Sequence, residues 1–274
     1  MDEGLREFGD LVRSPALALD LARGALLIAR IEHPELDSSR ELARLDALAA
    51  RSGASALAGP RARLERLRVF LFEEERFRGN AEDYYDPRNS CLNDVLDRKL
   101  GIPITLSVLM MEVGRRLGLS IFGVGLPGHF VVRAEVGGEG ILLDPFNAGA
   151  LMSVAAAAEV AARAAGRPVR LVDEDFAAVT KVQILTRMLM NLEAIYVRAE
   201  AWEKALAVID RLLIVDAGGR RHRRDRGAVL VRLGRLHAAA EEWERYLSRY
   251  PNAEDSVELR RQLRGVRQAL ASLN

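Results

Sequence analysis

One stretch of this chain changes its hydrophobic period, and that change limits the fold more than any other feature. The runs Ile121-Phe122-Gly123-Val124-Gly125-Leu126, His129-Phe130-Val131-Val132-Arg133-Ala134-Glu135 and Gly140-Ile141-Leu142-Leu143-Asp144 carry strand patterns. The cluster Gly137-Gly138-Glu139-Gly140 predicts a hairpin turn between the last two. Elsewhere the period is helical. A sheet this small is not stable alone and must lay a face on a helix. The helix available is the apolar segment from Pro103 to about Leu117, opened by proline and ended by Gly118. The fold class expected is α+β: a helical amino-terminal part, a small antiparallel sheet on one helix, and a helical tail.

The flanks fill in this outline. Residues 1–80 read as helix throughout, with Leu17, Leu21, Ile28 and Ile31 at helical spacing. The segment Ser38 to Ala50 opens with serines suited to capping, and Pro60 opens another helix with Leu64, Leu67, Val69, Phe70 and Phe72 on its buried side. The polar run from Asn80 to Ser90 contains Asp86-Pro87, a loop signal. A short helix to about Arg98 follows, and an alanine-rich helix spans 153–165. From about Lys181 the chain is helical and repeats itself. A shift of 34 residues brings Ala194 onto Ala228, Val197 onto Val231, Arg198 onto Arg232, Ala205 onto Ala239, Arg211 onto Arg245 and Leu213 onto Leu247. That is the period of the tetratricopeptide helix pair. Ala205 and Ala239 let paired helices approach, Tyr196 and Leu230 fill equivalent packing positions, and Trp202 and Trp243 read as packing residues.

Composition narrows the function. Lys plus Arg number 40 against 39 Asp plus Glu in 274 residues, a net charge of +1, which argues against a nucleic-acid coat or a polybasic membrane anchor. One cysteine excludes a disulfide framework, an iron–sulfur cluster and a cysteine-rich zinc site. The 4 histidines are scattered without metal spacing, so neither a metal nor another cofactor is expected. Gly123-x-Gly125-x-x-Gly128 ends at a strand instead of opening a helix, unlike a dinucleotide-binding turn. No apolar run approaches the ~20 residues of a bilayer span, and Met1-Asp2-Glu3-Gly4-Leu5-Arg6-Glu7 alternates charge where a signal peptide needs apolar residues. The expectation is a cytoplasmic protein that binds neither membrane nor nucleic acid.

His129 and Asp144 lie 15 residues apart on two strands joined by a short turn, and an odd separation puts them on one face. A carboxylate beside an imidazole fixes its tautomer and stabilises the imidazolium, the supporting half of a nucleophilic triad. The helix opening at Pro103 precedes them, and a helix amino terminus is where a thiolate is best stabilised.

The ordered runs Asn89-Ser90-Cys91-Leu92-Asn93, Gly101-Ile102-Pro103-Ile104-Thr105-Leu106-Ser107, Gly125-Leu126-Pro127-Gly128-His129-Phe130 and Leu143-Asp144-Pro145-Phe146-Asn147 resemble the bacterial SirB-type transglutaminase-like proteins. So do Leu185-Thr186-Arg187-Met188-Leu189-Met190-Asn191-Leu192 and Arg224-Asp225-Arg226-Gly227 in the tail. The resemblance implies a papain/transglutaminase-like core followed by tetratricopeptide-like helices, here residues 1–178 with the helical amino-terminal part and residues 179–274. The wider superfamily uses a Cys-His-Asp triad whose cysteine starts the core helix, about 15 residues before its terminal glycine. Counting back 15 from Gly118 gives Pro103, so the resemblance places the helpers at His129 and Asp144 and a proline at the nucleophile. Proline has no thiol, hydroxyl or N–H with which to attack or to donate to an oxyanion.

Three residues are candidates to replace that nucleophile: Cys91, Thr105 and Ser107. The plain expectation is a buried, inert Cys91 beyond reach of His129, and hydroxyls that cap or bond backbone. Candidate binding residues are Tyr84 and Tyr85, placed to line the groove, Asn89 and Asn93 in the first motif, and Arg224 and Arg226 in the densest charge run, which could instead clamp carboxylates of the core. The function expected is a catalytically degenerate transglutaminase-like module, regulatory and binding a protein or peptide partner. The alternative is an acyl-transfer or peptide-hydrolysing enzyme using Cys91 or a hydroxyl with His129 and Asp144.

Overall fold

The computed structural model describes residues 3–272, and among these the chain divides into two compact units. One spans Asp10–Met188; the other joins the residues up to Gly9 to those from Leu189 onward.

The first unit contains the end of α1 (Glu3–Arg13), then α2 (Leu21–Ala29), α3 (Ser38–Arg51) and α4 (Pro60–Val69), which runs on into a wider turn over Phe70–Glu74. Helix starts follow local chemistry. Asp20 accepts the Arg23 N–H at the start of α2, and Asp37 accepts those of Ser39 and Arg40 at the start of α3. Asp37 thus takes the capping role expected of the serines. Residues 1–80 are not helical throughout: Leu17 sits in a connection and is 98% exposed, despite its helical spacing to Leu21. A two-residue strand β1 (Arg78–Gly79) pairs in parallel with β2 (Leu100–Gly101), and α5 (Leu92–Arg98) lies between them.

Next comes α6 (Pro103–Arg116), with Pro103 at its first position and Gly118 beyond its end at φ +71°, where L side chains are disfavoured. From Pro103 to Met110 every residue of α6 is buried. β3 (Ser120–Leu126), β4 (His129–Val136), β5 (Glu139–Asp144) and β6 (Ala150–Leu151) form an antiparallel sheet in that order. The turns are tighter than the glycine clusters suggest. Leu126 pairs directly with His129 and Val136 with Glu139, so the second turn is only Gly137-Gly138, at φ +61° and +87°. Gly114 has no side chain because Ile121 lies against it, which brings α6 close to the sheet. Val124, Leu126 and Val131 pack with Ala157 of α7 (Val154–Ala165) and with Phe176. The segment after α7 returns to the sheet: the Val179 N–H donates to Gly123 O at 2.9 Å, and α8 (Lys181–Arg198) begins there.

The second unit holds the rest of α8 with α9 (Trp202–Val215), α10 (Arg220–Arg232), α11 (Leu236–Arg249) and α12 (Ser256–Ser272). The 34-residue repeat superposes α8–α9 on α10–α11 in sequence. Ala205 and Ala239 are fully buried, and Tyr196 and Leu230 are each 2% exposed. Trp243 fills the core beside Tyr246 and packs on Leu259, Leu263 and Val266 of α12. Trp202 is only half-buried and carries the Arg232 guanidinium 5.3 Å from its ring centre.

Candidate functional site

His129 opens β4 and Asp144 ends β5, and register brings them together across the hairpin. His129 Nε2 lies 2.8 Å from Asp144 Oδ2. The carboxylate is 1% exposed and the imidazole side chain 10%. Asp144 also receives the N–H groups of Phe146 and Asn147 on Oδ1, at 3.1 and 3.3 Å, and the Asn147 side-chain amide on Oδ2 at 2.8 Å. Burial alone would push its carboxyl upward, but the donated hydrogen bonds and the charge of His129 outweigh it and hold the group below the usual carboxylate value. A charged Asp144 favours a proton on Nε2.

Phe146 is the hub beside this pair. Its ring lies flat on Gly79, where any Cβ would come within 2.5 to 2.7 Å of it. His129 meets Phe146 edge-to-face at 6.3 Å, and Tyr84 meets its other side at 6.2 Å. Tyr84 is 38% exposed and Tyr85 61%. Burial raises the Tyr84 phenol, with a smaller contribution from Tyr85 and an opposing one from Arg187. Arg187, near the start of α8, donates from Nη2 to the His129 carbonyl at 3.2 Å and lies 5.2 Å over the Phe130 ring.

The nucleophile side is different. Pro103 opens α6, preceded by Ile102, and offers no reactive group. Thr105 and Ser107 are fully buried, and neither hydroxyl has a hydrogen-bond partner among the described residues; they do not bond backbone as expected. Cys91 precedes α5 and is fully buried.

Other expected binding residues do not all face a groove. Asn89 is fully buried and holds the Asn80–Ser90 loop. Its amide donates to Asp83 O at 2.7 Å and Tyr84 O at 3.3 Å, and its Oδ1 accepts from Asn80 and Arg98. Asn93 is 6% exposed, with Oδ1 buried and unpartnered. Arg226 reaches Asp210 at 2.7 Å and Glu242 at 2.9 Å, and Arg224 reaches Asp225 at 2.8 Å and Asp255 at 3.2 Å. These carboxylates belong to the repeat unit itself, so the arginines clamp neighbouring repeat helices, not the core carboxylates anticipated from sequence.

Sequence reasoning did not find Phe146, Asn147 or Arg187 as parts of the site. Phe146 and Asn147 stood in the quoted motif beside Asp144, and Arg187 stood in the quoted run Leu185–Leu192, so membership of a motif was the available signal. A second pair, His33 Nε2 to Asp94 Oδ2 at 2.7 Å, joins residues 61 apart and was equally invisible. Among the described residues no group of three His, Cys, Asp or Glu side chains could hold a metal ion, and no helix is long and apolar enough to cross a membrane.

Comparison with known proteins agrees with this architecture. Residues 39–190 match the transglutaminase-like superfamily, and residues 192–264 match the tetratricopeptide repeat. A UPF0162 protein of Xylella fastidiosa is 35% identical over 242 residues, covering 86% of each chain. A UPF0162 protein of Vibrio cholerae is 29% identical over 242 residues, 86% of this chain and 88% of the relative. Mouse F-box only protein 21 is 39% identical over 84 residues, 31% of this chain and 13% of that protein. No solved structure matches the chain significantly. A transglutaminase-like domain followed by a tetratricopeptide repeat, matched over most of both chains by bacterial UPF0162 relatives, makes this chain a member of the transglutaminase-like superfamily.

Proposed function

We propose that this protein is a catalytically degenerate transglutaminase-like module that binds a protein or peptide partner, with His129 and Asp144 as the remnant of a triad. The observation that carries this reading is Pro103 at the first position of α6 in a chain that keeps an intact imidazole–carboxylate pair. Acyl transfer needs a nucleophile within about 2.6–3.2 Å of its base. The sole cysteine is fully buried, and so are the hydroxyls nearest the helix start. Repeat helices commonly present a concave surface to peptides, which supports partner binding over an isolated structural role.

The test is amine incorporation. Wild-type protein, His129→Ala and a reagent blank are incubated with a fluorescent primary amine and a glutamine-containing acceptor protein, and hydrolysis of peptide amides is followed in parallel. The proposal predicts rates equal to the blank in all cases. Turnover by wild type that disappears in His129→Ala would establish the enzymatic alternative, and Cys91→Ala, Thr105→Val and Ser107→Ala would then identify the nucleophile.

A further inference from the structure

We infer that Arg187 makes the surface beside His129 a carboxylate-binding subsite, in which the guanidinium and the Tyr84 phenol receive a carboxylate of a peptide partner. This rests on the partner-binding reading above and names the chemistry of that partner.

A half-buried cation normally has a carboxylate beside it, because desolvating a charge is costly unless the charge is paired. Arg187 has none: no Asp or Glu among the described residues forms an ion pair with it, and its one hydrogen bond goes to the His129 carbonyl. Burial pulls the guanidinium below its ordinary value, and Tyr84 is the one group that opposes this. The side chain is nonetheless firmly placed. It crosses Gly125, where a Cβ would collide with Nη1, and its head lies over Phe130. Gly125 has an ordinary negative φ, so the missing side chain there serves close approach and not a turn.

The bond to the His129 carbonyl uses one of the five guanidinium N–H donors. What guanidinium adds is a planar fork of donors, and apart from that bond its N–H groups have no acceptor among the described residues, which leaves one full edge of the fork, Nε with Nη2 or Nη1 with Nη2, unused. Such a fork matches a carboxylate bidentately. Tyr84 is 38% exposed and packs on the Phe146 ring that His129 also meets, which makes its phenol O–H a further donor beside the pair. Asp144 is not a competitor, since its oxygens are already occupied by His129, Asn147 and backbone N–H groups. The carboxylate could be that of a chain terminus or of an Asp or Glu side chain.

The test uses full-length protein with guanidinium Nε labelled for NMR and four probes: acetyl-trialanine, its carboxyl-terminal amide, the amide of acetylglutamate, and inorganic phosphate. Arg187 is assigned with Arg187→Gln, and a wild-type melting temperature of that variant is the check that it is folded. The expected result is a shift of the Arg187 signal with acetyl-trialanine and an affinity at least about tenfold above its amide, lost in Arg187→Gln and partly retained in Arg187→Lys. Equal binding of acetylglutamate amide would assign a side-chain carboxylate; binding by acetyl-trialanine alone would assign a chain terminus. The subsite is refuted if acid and amide bind alike, if no carboxylate probe moves the signal, or if phosphate alone does. Acid and amide binding equally in wild type and Arg187→Gln would remove the subsite and leave partner binding standing. His129-dependent turnover in the amine assay would instead remove the degenerate reading, whatever Arg187 does.

Discussion

The His129–Asp144 pair and the arginine-rich start of α10 are both dense in charge, and the two resolve differently. At the strand pair, one carboxylate is surrounded by donors at the end of a small sheet, and beside it stands a cation, Arg187, with no carboxylate partner among the described residues. In α10, five arginines fall within Arg220–Arg226, yet Arg223 and Arg226 both reach the buried Glu242, and Arg226 also reaches Asp210. Charge density along a helix is thus absorbed by neighbouring helices of the repeat unit. A site is marked by charge that the fold leaves uncompensated, and that quantity depends on partners far away in sequence.

If the α10 cluster is structural, the largest effect should come from its buried acceptor. Glu242→Ala leaves Arg223 and Arg226 half-buried without their shared carboxylate and should cost ~2–4 kcal/mol, read from urea unfolding. A loss below about 0.5 kcal/mol would mean that the arginines find other acceptors and that the cluster is free to bind ligands.

Asp144→Ala should cost somewhat less, ~1–3 kcal/mol, because it strands the His129 imidazole and removes the acceptor of two turn N–H groups. The pair also sets a pH signature. Asp144 titrates below its ordinary 3.8 in the folded protein, so its contribution is complete above the unfolded value and is lost as pH falls through the lower folded value. Unfolding followed below about pH 4 should therefore show a shallower acid loss in Asp144→Asn than in wild type. An unchanged acid limb would place the stabilisation elsewhere.

Gly79→Ala sharpens the same comparison from the packing side. The added methyl meets the Phe146 ring and should cost ~1–3 kcal/mol, with a displaced His129 ring resonance in NMR spectra. A shift of stability without any change at His129 would show that Phe146 does not position the imidazole. The smallest effect belongs to Arg224→Gln. Arg224 is 39% exposed and its partner Asp255 30%, so the loss should stay below about 1 kcal/mol in the same urea assay.

Much of this was legible in sequence for physical reasons. Alternation at residues 120–126 and 129–136 has no helical competitor, and the odd spacing of His129 and Asp144 fixes a shared face wherever the hairpin is tight. Pro103 and Gly118 bracket α6 because each is restricted to, or tolerated by, one backbone geometry. The misses have equally concrete causes. Leu17 kept a helical interval across a break, since periodicity does not register a connection of a few residues. β1 and β2 are two residues each, too short to show any pattern. Asn89 reads as a polar motif residue but is used up in hydrogen bonds to its own loop, and Arg187 reads as one arginine among many on a helix.

The central claim is that this transglutaminase-like core keeps its imidazole–carboxylate pair without a nucleophile in reach of it. The most direct measurement is the rate of Cys91 alkylation by iodoacetamide in native protein near neutral pH, followed by mass spectrometry and compared with unfolded protein and with His129→Ala. A fully buried thiol outside the pair should label slowly and incompletely, at the same rate in His129→Ala, and rapidly only after unfolding. Rapid stoichiometric labelling of the native protein that His129→Ala abolishes would identify an activated thiolate and contradict the account.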